Sequence, residues 1–373
     1  MSLRAEILEQ ISRRQTIVSR DLSGLDLSGA DLSGGRFEKV GFAGADFSRA
    51  DISRTGFADC DFTGARFCET RFEKLNWMGM FMPRADLRGA TLFMTLFGKS
   101  DISDADFSDA TIRMCSLEET NLTGARFHRT KIEQNTLREA RCAGADFSDA
   151  TMIRLAFSES DLRGLILAGA RLRKVFFRGC DFTGYGFTGL DMEIVQFDGS
   201  KLDGADFSGC SLPMCNFSGA SMKGASLRQT RAESAFFAGA KLTSAVLCGG
   251  VFRQSVFSEG DLSMADCADA DFELCLFQKA RLCRTNFTGA NLKNADFSHA
   301  DLSEGDFTGT SLYMAQFHGA VEEGTRFGNS KKTLLQQQDA ERTAAEAFVP
   351  RAKPRPDRTG RHTAAEKPRD GAD

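Results

Sequence analysis

The sequence predicts an all-β solenoid. Three observations carry that prediction: a large apolar residue at every fifth position, a small residue two places before it, and ring sizes that repeat every 20 residues. The first runs from Leu22 through Leu27, Leu32, Phe37, Phe42 and Phe47 to Phe317, without one insertion or deletion, which makes 60 pentads. Only Cys142, Ala232 and Cys267 are small in that series. A period of five fits neither the 3.6 of an amphipathic helix nor the 2.0 of a flat strand. It fits a coil that turns a corner every five residues, with one large and one small side chain inward and three residues outward. The small series includes Ala30, Ala45, Ala65, Cys180 and Cys210. Gly, Ser, Asp and Asn recur between the inward residues, where corners need turn formers.

Ring size then sorts the pentads by side. The series 37, 57, 77 and onward to 317 is Phe in 12 of 15 positions, and the series through Phe47 has nine. The series through Leu22 and Leu32 have three each and are mostly aliphatic. Ring-bearing sides alternating with aliphatic sides fill a four-cornered interior.

"SGADLSGGRF", "TGANLKNADFSHADLSEGDF" and "AGADFSDAT" resemble the pentapeptide-repeat family, whose unit reads A-(D/N)-(L/F)-x-x. The resemblance covers about residues 20 to 328. It implies a right-handed quadrilateral β-helix with four pentads per coil, hence about 15 four-sided coils with short terminal helices. At a strand spacing of ~4.8 Å the rod is on the order of 70 Å long.

The segments follow from the same pattern. Residues 1–19 are expected to form an N-terminal capping helix, because Leu3, Ile7, Leu8 and Ile11 fall at helical spacing. Residues 20–328 form the repeat. Residues 329–348, with "KKTLLQQQDAERTAAEAF", read as a C-terminal helix, and 349–373, proline-rich and then polar, as a disordered tail. The least regular stretch, "NWMGMFMPRADL", contains Pro83 and predicts a bulge there.

Charged residues make up 26% and apolar residues 42% of the 373-residue chain, which indicates a soluble folded protein. No apolar run approaches 18 residues, and the N-terminus lacks the uninterrupted apolar stretch of a signal peptide. The expectation is a cytoplasmic protein with no membrane partner, exported, if at all, by a signal-independent route. Eleven cysteines form no C-x-x-C pair. Cys60, Cys115, Cys180, Cys210, Cys215 and Cys275 fall on small inward positions and Cys142 and Cys267 on large ones, so these eight are expected to be buried packing residues.

No catalytic signature emerges, and no cofactor or metal is expected. His299 and His318 are 19 apart and can face each other across adjacent coils, but two histidines alone are a weak ligand set. The aspartates mostly precede a large inward residue, which is a repeat position rather than a converging acid pair. The protein is expected not to be an enzyme.

The informative residues are apolar ones off the inward series. Phe176 and Phe236 sit beside Phe177 and Phe237, and in an extended chain neighbours face opposite ways, so one ring of each pair points to solvent. The same outward position holds Leu96, Val256 and Leu276. The preceding corner adds Met94, Met114, Ile194, Met214, Leu274 and Met314, with Phe93 on that edge and Phe81 at the start of the next side. These residues are expected to form one apolar seam on which a partner or second copy docks. A wet Phe or Leu forgoes about 1.5–3 kcal/mol of burial, so a wet seam is a liability.

Two functions compete. The first is a non-catalytic interaction scaffold; the family resemblance implies a link to bacterial secretion loci, including type VI systems, with secretion-apparatus components or a homodimer mate as partners. The second, also implied by the resemblance, is a duplex mimic that binds DNA gyrase and protects it. Charge weighs against mimicry: residues 21–330 carry 33 basic and 42 acidic residues, distributed as −6 over 21–120, +2 over 121–240 and −5 over 241–330. Duplex DNA of that length carries ~40 charges. An acidic rod is not expected to bind nucleic acid.

Overall fold

The computed structural model describes residues 2–330. They belong to the first of two units, Met1–Gln337. The expected C-terminal helix, from residue 331 onward, and the tail of 349–373 lie outside the described residues.

Helix α1, Leu3–Ser12, opens the described chain; the Ser2 hydroxyl accepts from the Ala5 N–H at 3.3 Å and caps it. Ile7 is fully buried, and Leu8 and Ile11 pack against the same core. Arg4 donates to the Ser28 carbonyl at 2.8 Å, and Arg20 pairs with Glu6 at 3.1 Å, holding α1 on the first turn.

Beyond α1 the chain is a β-solenoid of short parallel strands. β1 (Thr16–Val18), β2 (Arg36–Glu38) and β3 (Gly56–Ala58) form one ladder. β4 (Arg71–Glu73), β5 (Thr91–Phe93), β6 (Thr111–Arg113), β7 (Lys131–Glu133), β9 (Thr151–Ile153), β11 (Arg171–Arg173) and β12 (Asp191–Glu193) form a second. β8 (Thr136–Arg138) and β10 (Ala156–Ser158) form a third. Every pairing joins residues 20 apart, from Ile17↔Phe37 to Asp306↔Arg326. The register begins one pentad earlier than expected: Ile17 is an inward residue, 2% exposed, and β1 lies within the segment 1–19 that the sequence assigned to the cap.

Most pentads outside the strands share one hydrogen-bonding logic. In Asp26-Leu27-Ser28-Gly29-Ala30, Leu27 N–H donates to the Asp46 carbonyl and Gly29 N–H to the Ser48 carbonyl, both on the next turn. Ala30 N–H closes the corner onto the Leu27 carbonyl. Ser28 N–H has no ladder partner and donates to its own Asp26 Oδ1 at 2.9 Å. That explains the aspartates, which form Asx turns. It also explains proline. Pro83 and Pro213 stand at the third position, where no ladder N–H is lost, and Phe81 and Ser211 replace the aspartate. The register runs through Asp61↔Phe81↔Asp101 unbroken, so Pro83 marks no bulge.

The interior is aromatic. Phe237 stacks on Phe217 at 4.9 Å and on Phe257 at 4.7 Å, and the same series continues through Phe277 and Phe297 to Phe317. Where a small inward position carries Cys, Thr or Ser rather than Ala, its thiol or hydroxyl commonly reaches a carbonyl 23 residues back. Thr70 Oγ1 donates to the Phe47 carbonyl at 2.8 Å, and Cys210 Sγ to the Phe187 carbonyl at 2.8 Å. The eight cysteines expected inside are buried, and Cys68, Cys248 and Cys283 are half-buried. Burial pushes the Cys142, Cys180 and Cys215 thiols up to about 12, which makes them packing groups rather than nucleophiles.

Candidate docking surface

The corners of the solenoid share one backbone conformation. The fourth residue of nearly every pentad has φ between +49° and +73°, in the left-handed region. Such a position favours glycine, because other residues place Cβ against the following carbonyl. These positions fall into four series, each stepping by 20. Glycine holds ten positions in the series through Gly24, eight in that through Gly29 and six in that through Gly79. In the series through Gly34 it holds that one position alone among the described residues.

That fourth series contains Met94, Met114, Ile194, Met214, Leu274 and Met314, all with φ between +52° and +60°. Ile194 is the sharpest case, since a β-branched residue at positive φ is a conformational outlier. On the other three series the only bulky apolar corner residue is Met264, among the described residues. The bulky side chains therefore stand where the backbone disfavours them; five of the six are exposed, and Ile194 is half-buried. Met214 is 52% exposed, Met114 45% and Leu274 44%.

Two residues beyond each corner lies an outward strand position, and these positions form one parallel column: Ala156↔Phe176↔Gln196↔Asn216↔Phe236↔Val256↔Leu276. Phe176 is 43% and Phe236 46% exposed, while Phe177 and Phe237 are fully buried. The column and the corner complement each other turn by turn. Where the column is polar, at Gln196 and Asn216, the corner supplies Ile194 and Met214. Where the corner is polar, at Lys174, Ser234 and Gln254, the column supplies Phe176, Phe236 and Val256. Leu274 and Leu276 close the run with both. Six successive turns each present an apolar side chain, a continuous strip on the order of 25 Å long at the strand spacing. Asn216 Nδ2 donates to Gln196 Oε1 at 3.0 Å, so the polar pair in the column is itself satisfied.

The remaining residues of the expected seam do not join that strip. Met94, Leu96 and Met114 form a second patch, separated from the first by Gln134, Thr136 and Arg154. Phe93 lies beside that patch on β5, half-buried, with the Arg113 guanidinium 5.9 Å over its ring, at a shallow cleft of about 340 Å³. Phe81 is 48% exposed on a different side, between Asp61 and Asp101. Met314 stands beyond Asn294 and Asp296.

Sequence reasoning passed over Ile166 and Tyr313, which are also exposed, and Tyr185. Tyr185 occupies a small inward position and packs on Phe182 and Phe187; burial pushes its hydroxyl up to about 12. A large ring in a small slot, followed by Gly186, was the available signal. His299 and His318 do meet, ring to ring at 5.3 Å, with His318 buried rather than exposed. Among the described residues no group of three or more His, Cys, Asp or Glu is placed to hold a metal ion. No helix there is long and apolar enough to cross a membrane.

The model of pentapeptide repeats matches in eight copies, over 21–57, 100–138, 133–164, 145–184, 195–229, 235–266 and 265–303. Comparison with curated proteins finds no match. Among solved structures, the chain is similar to HetL, a pentapeptide repeat protein involved in heterocyst differentiation regulation from the cyanobacterium Nostoc sp. Strain PCC 7120: 21% identity, 73% of this chain and 88% of that one, TM-score 0.15. It is also similar to QnrB1, a plasmid-mediated fluoroquinolone resistance protein, at 18% identity over 63% and 98% of the two chains, TM-score 0.26. A pentapeptide repeat protein from the Arabidopsis thaliana thylakoid lumen shares 28% identity over 32% of this chain and 67% of its own, TM-score 0.14. At these scores the neighbours carry no argument about activity.

Proposed function

Because the chain belongs to the pentapeptide-repeat family, we propose that it is a non-catalytic interaction scaffold: a right-handed, four-sided rod of about 15 coils that docks a protein partner along the strip from Phe176 to Leu276. One observation carries this reading. Bulky apolar side chains, exposed or half-buried, occupy left-handed corner positions on one edge at conformational cost, and they fill the gaps in the adjacent column. Packing within the solenoid does not require them, because glycine serves the same backbone on the other corners. A partner that buries the strip recovers about 1.5–3 kcal/mol for each large side chain it covers, and charges are scarce at the strip's centre, as at the core of stable interfaces. A secretion-apparatus component, as the resemblance implies, is one candidate for that partner.

The test is the pair Phe176→Asp with Phe236→Asp. Purified from its source organism, the wild-type chain is expected to co-elute with a second polypeptide in fixed ratio, and the variant to lose it while keeping its circular dichroism and melting temperature. A variant that retains the partner removes the strip from the interface. A wild-type chain that self-associates, and a variant that does not, makes the occupant a second copy. The gyrase-binding alternative is less well supported: residues 21–330 carry 33 basic and 42 acidic residues, a net charge of −9, where duplex DNA of that length carries ~40 negative charges.

A further inference from the structure

The glycine-poor corner begins differently from the way it continues. Upstream of Met94 it reads Arg14, Gly34, Arg54 and Lys74. Arg14 and Arg54 stand two turns apart, about 10 Å along the stack, with Gly34 between them. Nothing lies within 4 Å of the place where a Gly34 Cβ would be. The single glycine of this corner is therefore an open notch between two guanidinium-bearing stems. Arg36, outward on β2, borders the same notch, and its column neighbour Gly56 again leaves open space.

These groups line a cleft of about 630 Å³ between the end of α1 and the first turns. Leu8 and Ile11 of α1 supply an apolar wall. The helix reaches Gly35: Ile11 Cγ1 is 3.5 Å from where its Cβ would be, ordinary van der Waals contact. The one carboxylate lining the cleft is Asp31, which accepts from Ser33 N–H at 3.0 Å and is held below the usual carboxylate range by Ser33, so it stays ionised. Three guanidinium groups against one carboxylate leave the cleft with two net positive charges. Of the last carbonyls of α1, those of Glu9, Gln10 and Ile11 already accept from Arg13, Gln15 and Arg14.

Some arginines elsewhere on the solenoid meet a carboxylate one turn away, as Arg129 does Asp109 and Arg284 does Glu304, each at 2.8 Å. Arg14, Arg36 and Arg54 form no ion pair among the described residues. Planar guanidinium forks match phosphate oxygens two at a time, and the volume lies in the range of small-molecule sites.

We infer that this cleft binds a small phosphorylated molecule, its phosphate held by Arg14, Arg36 and Arg54 over the Gly34 notch and its organic part against Leu8 and Ile11. The site is independent of the docking strip, and either can fail without the other.

The probe is inorganic pyrophosphate, titrated calorimetrically into the full chain, with sulfate at matched ionic strength as control. The expected result is one saturable site for pyrophosphate, with sulfate weaker. Arg14→Gln with Arg54→Gln should weaken it by about tenfold or more, as loss of two charge-assisted contacts implies, and Arg36→Gln should weaken it less. All three side chains are exposed, so the ligand-free melting temperature should not move. Absence of saturable heat, equal affinity in the double variant, or identical behaviour of sulfate and pyrophosphate would each overturn the assignment.

Discussion

Two corners of the same solenoid make the same turn with different residues. The corner through Gly184 and Gly204 turns at φ +68° and +67° on glycine; the corner through Ile194 and Met214 turns at +58° and +57° on large apolar residues. Met214 makes the same hydrogen-bonded turn as Gly204, with Cys215 N–H closing onto the Leu212 carbonyl as Ala205 N–H does onto Leu202, so backbone geometry does not explain the choice there. The first corner follows local propensity. The second departs from it, and such departures mark places where a sequence answers to something besides its own folding. The difference separates what holds the solenoid together, which lies inside, from what the solenoid presents, which lies along one edge.

The largest expected effect tests that separation on adjacent residues. Phe237→Ala removes a ring stacked on both sides and should cost about 3–5 kcal/mol, read as a shift in the denaturant midpoint. Phe236→Ala, one residue away and outward, should stay within about 0.5 kcal/mol. Comparable losses at both positions would place the strip in the structural core.

A smaller effect tests the equivalence of the corners. Gly204→Met puts on the glycine-rich corner what Met214 puts on the other. Nothing lies within 4 Å of the added Cβ, so the change should cost only backbone strain, about 1–2 kcal/mol. A cost near zero would mean that these turns accept any residue, and the composition of the Met214 corner would then carry no signal.

The smallest effect separates the corners by acid. Asp181 and Asp206 accept from the backbone N–H and hydroxyl of Thr183 and Ser208, which hold both carboxyls below the usual range. A depressed folded pKa gives stability that is complete above the unfolded value of about 3.9 and is lost as pH falls through the folded value. The turns before Gly184 and Gly209 should therefore loosen below about pH 4, seen as faster amide exchange at Thr183 and Ser208. The Ser211-Leu212-Pro213-Met214 turn has no such aspartate and should not respond.

Much of this was legible in the sequence, for a physical reason. A period of five names the inward positions, so the buried rings, the eight buried cysteines and the outward Phe176 and Phe236 followed from counting. Counting does not report φ, so the left-handed corners under Ile194 and Met214 were not visible. Nor was the alternation of corner and column, which depends on register between turns. One presumed seam thus became a strip, a second patch and outliers at Phe81 and Met314. Ile17 was missed because Ser12 to Gln15 interrupts the apolar pattern before it. The arginine cleft was hidden because Arg14, Arg36 and Arg54 are distant in the chain and meet only when turns stack.

The most direct test of the central claim is the denaturant midpoint of Ile194→Gly with Met214→Gly. If these side chains serve docking and the backbone merely tolerates them, glycine relieves the strain at both corners, offset in part by the freedom it adds to the unfolded chain. The midpoint should then be unchanged or higher. A loss of more than about 1 kcal/mol would show that Ile194 and Met214 hold the solenoid itself and would contradict the account.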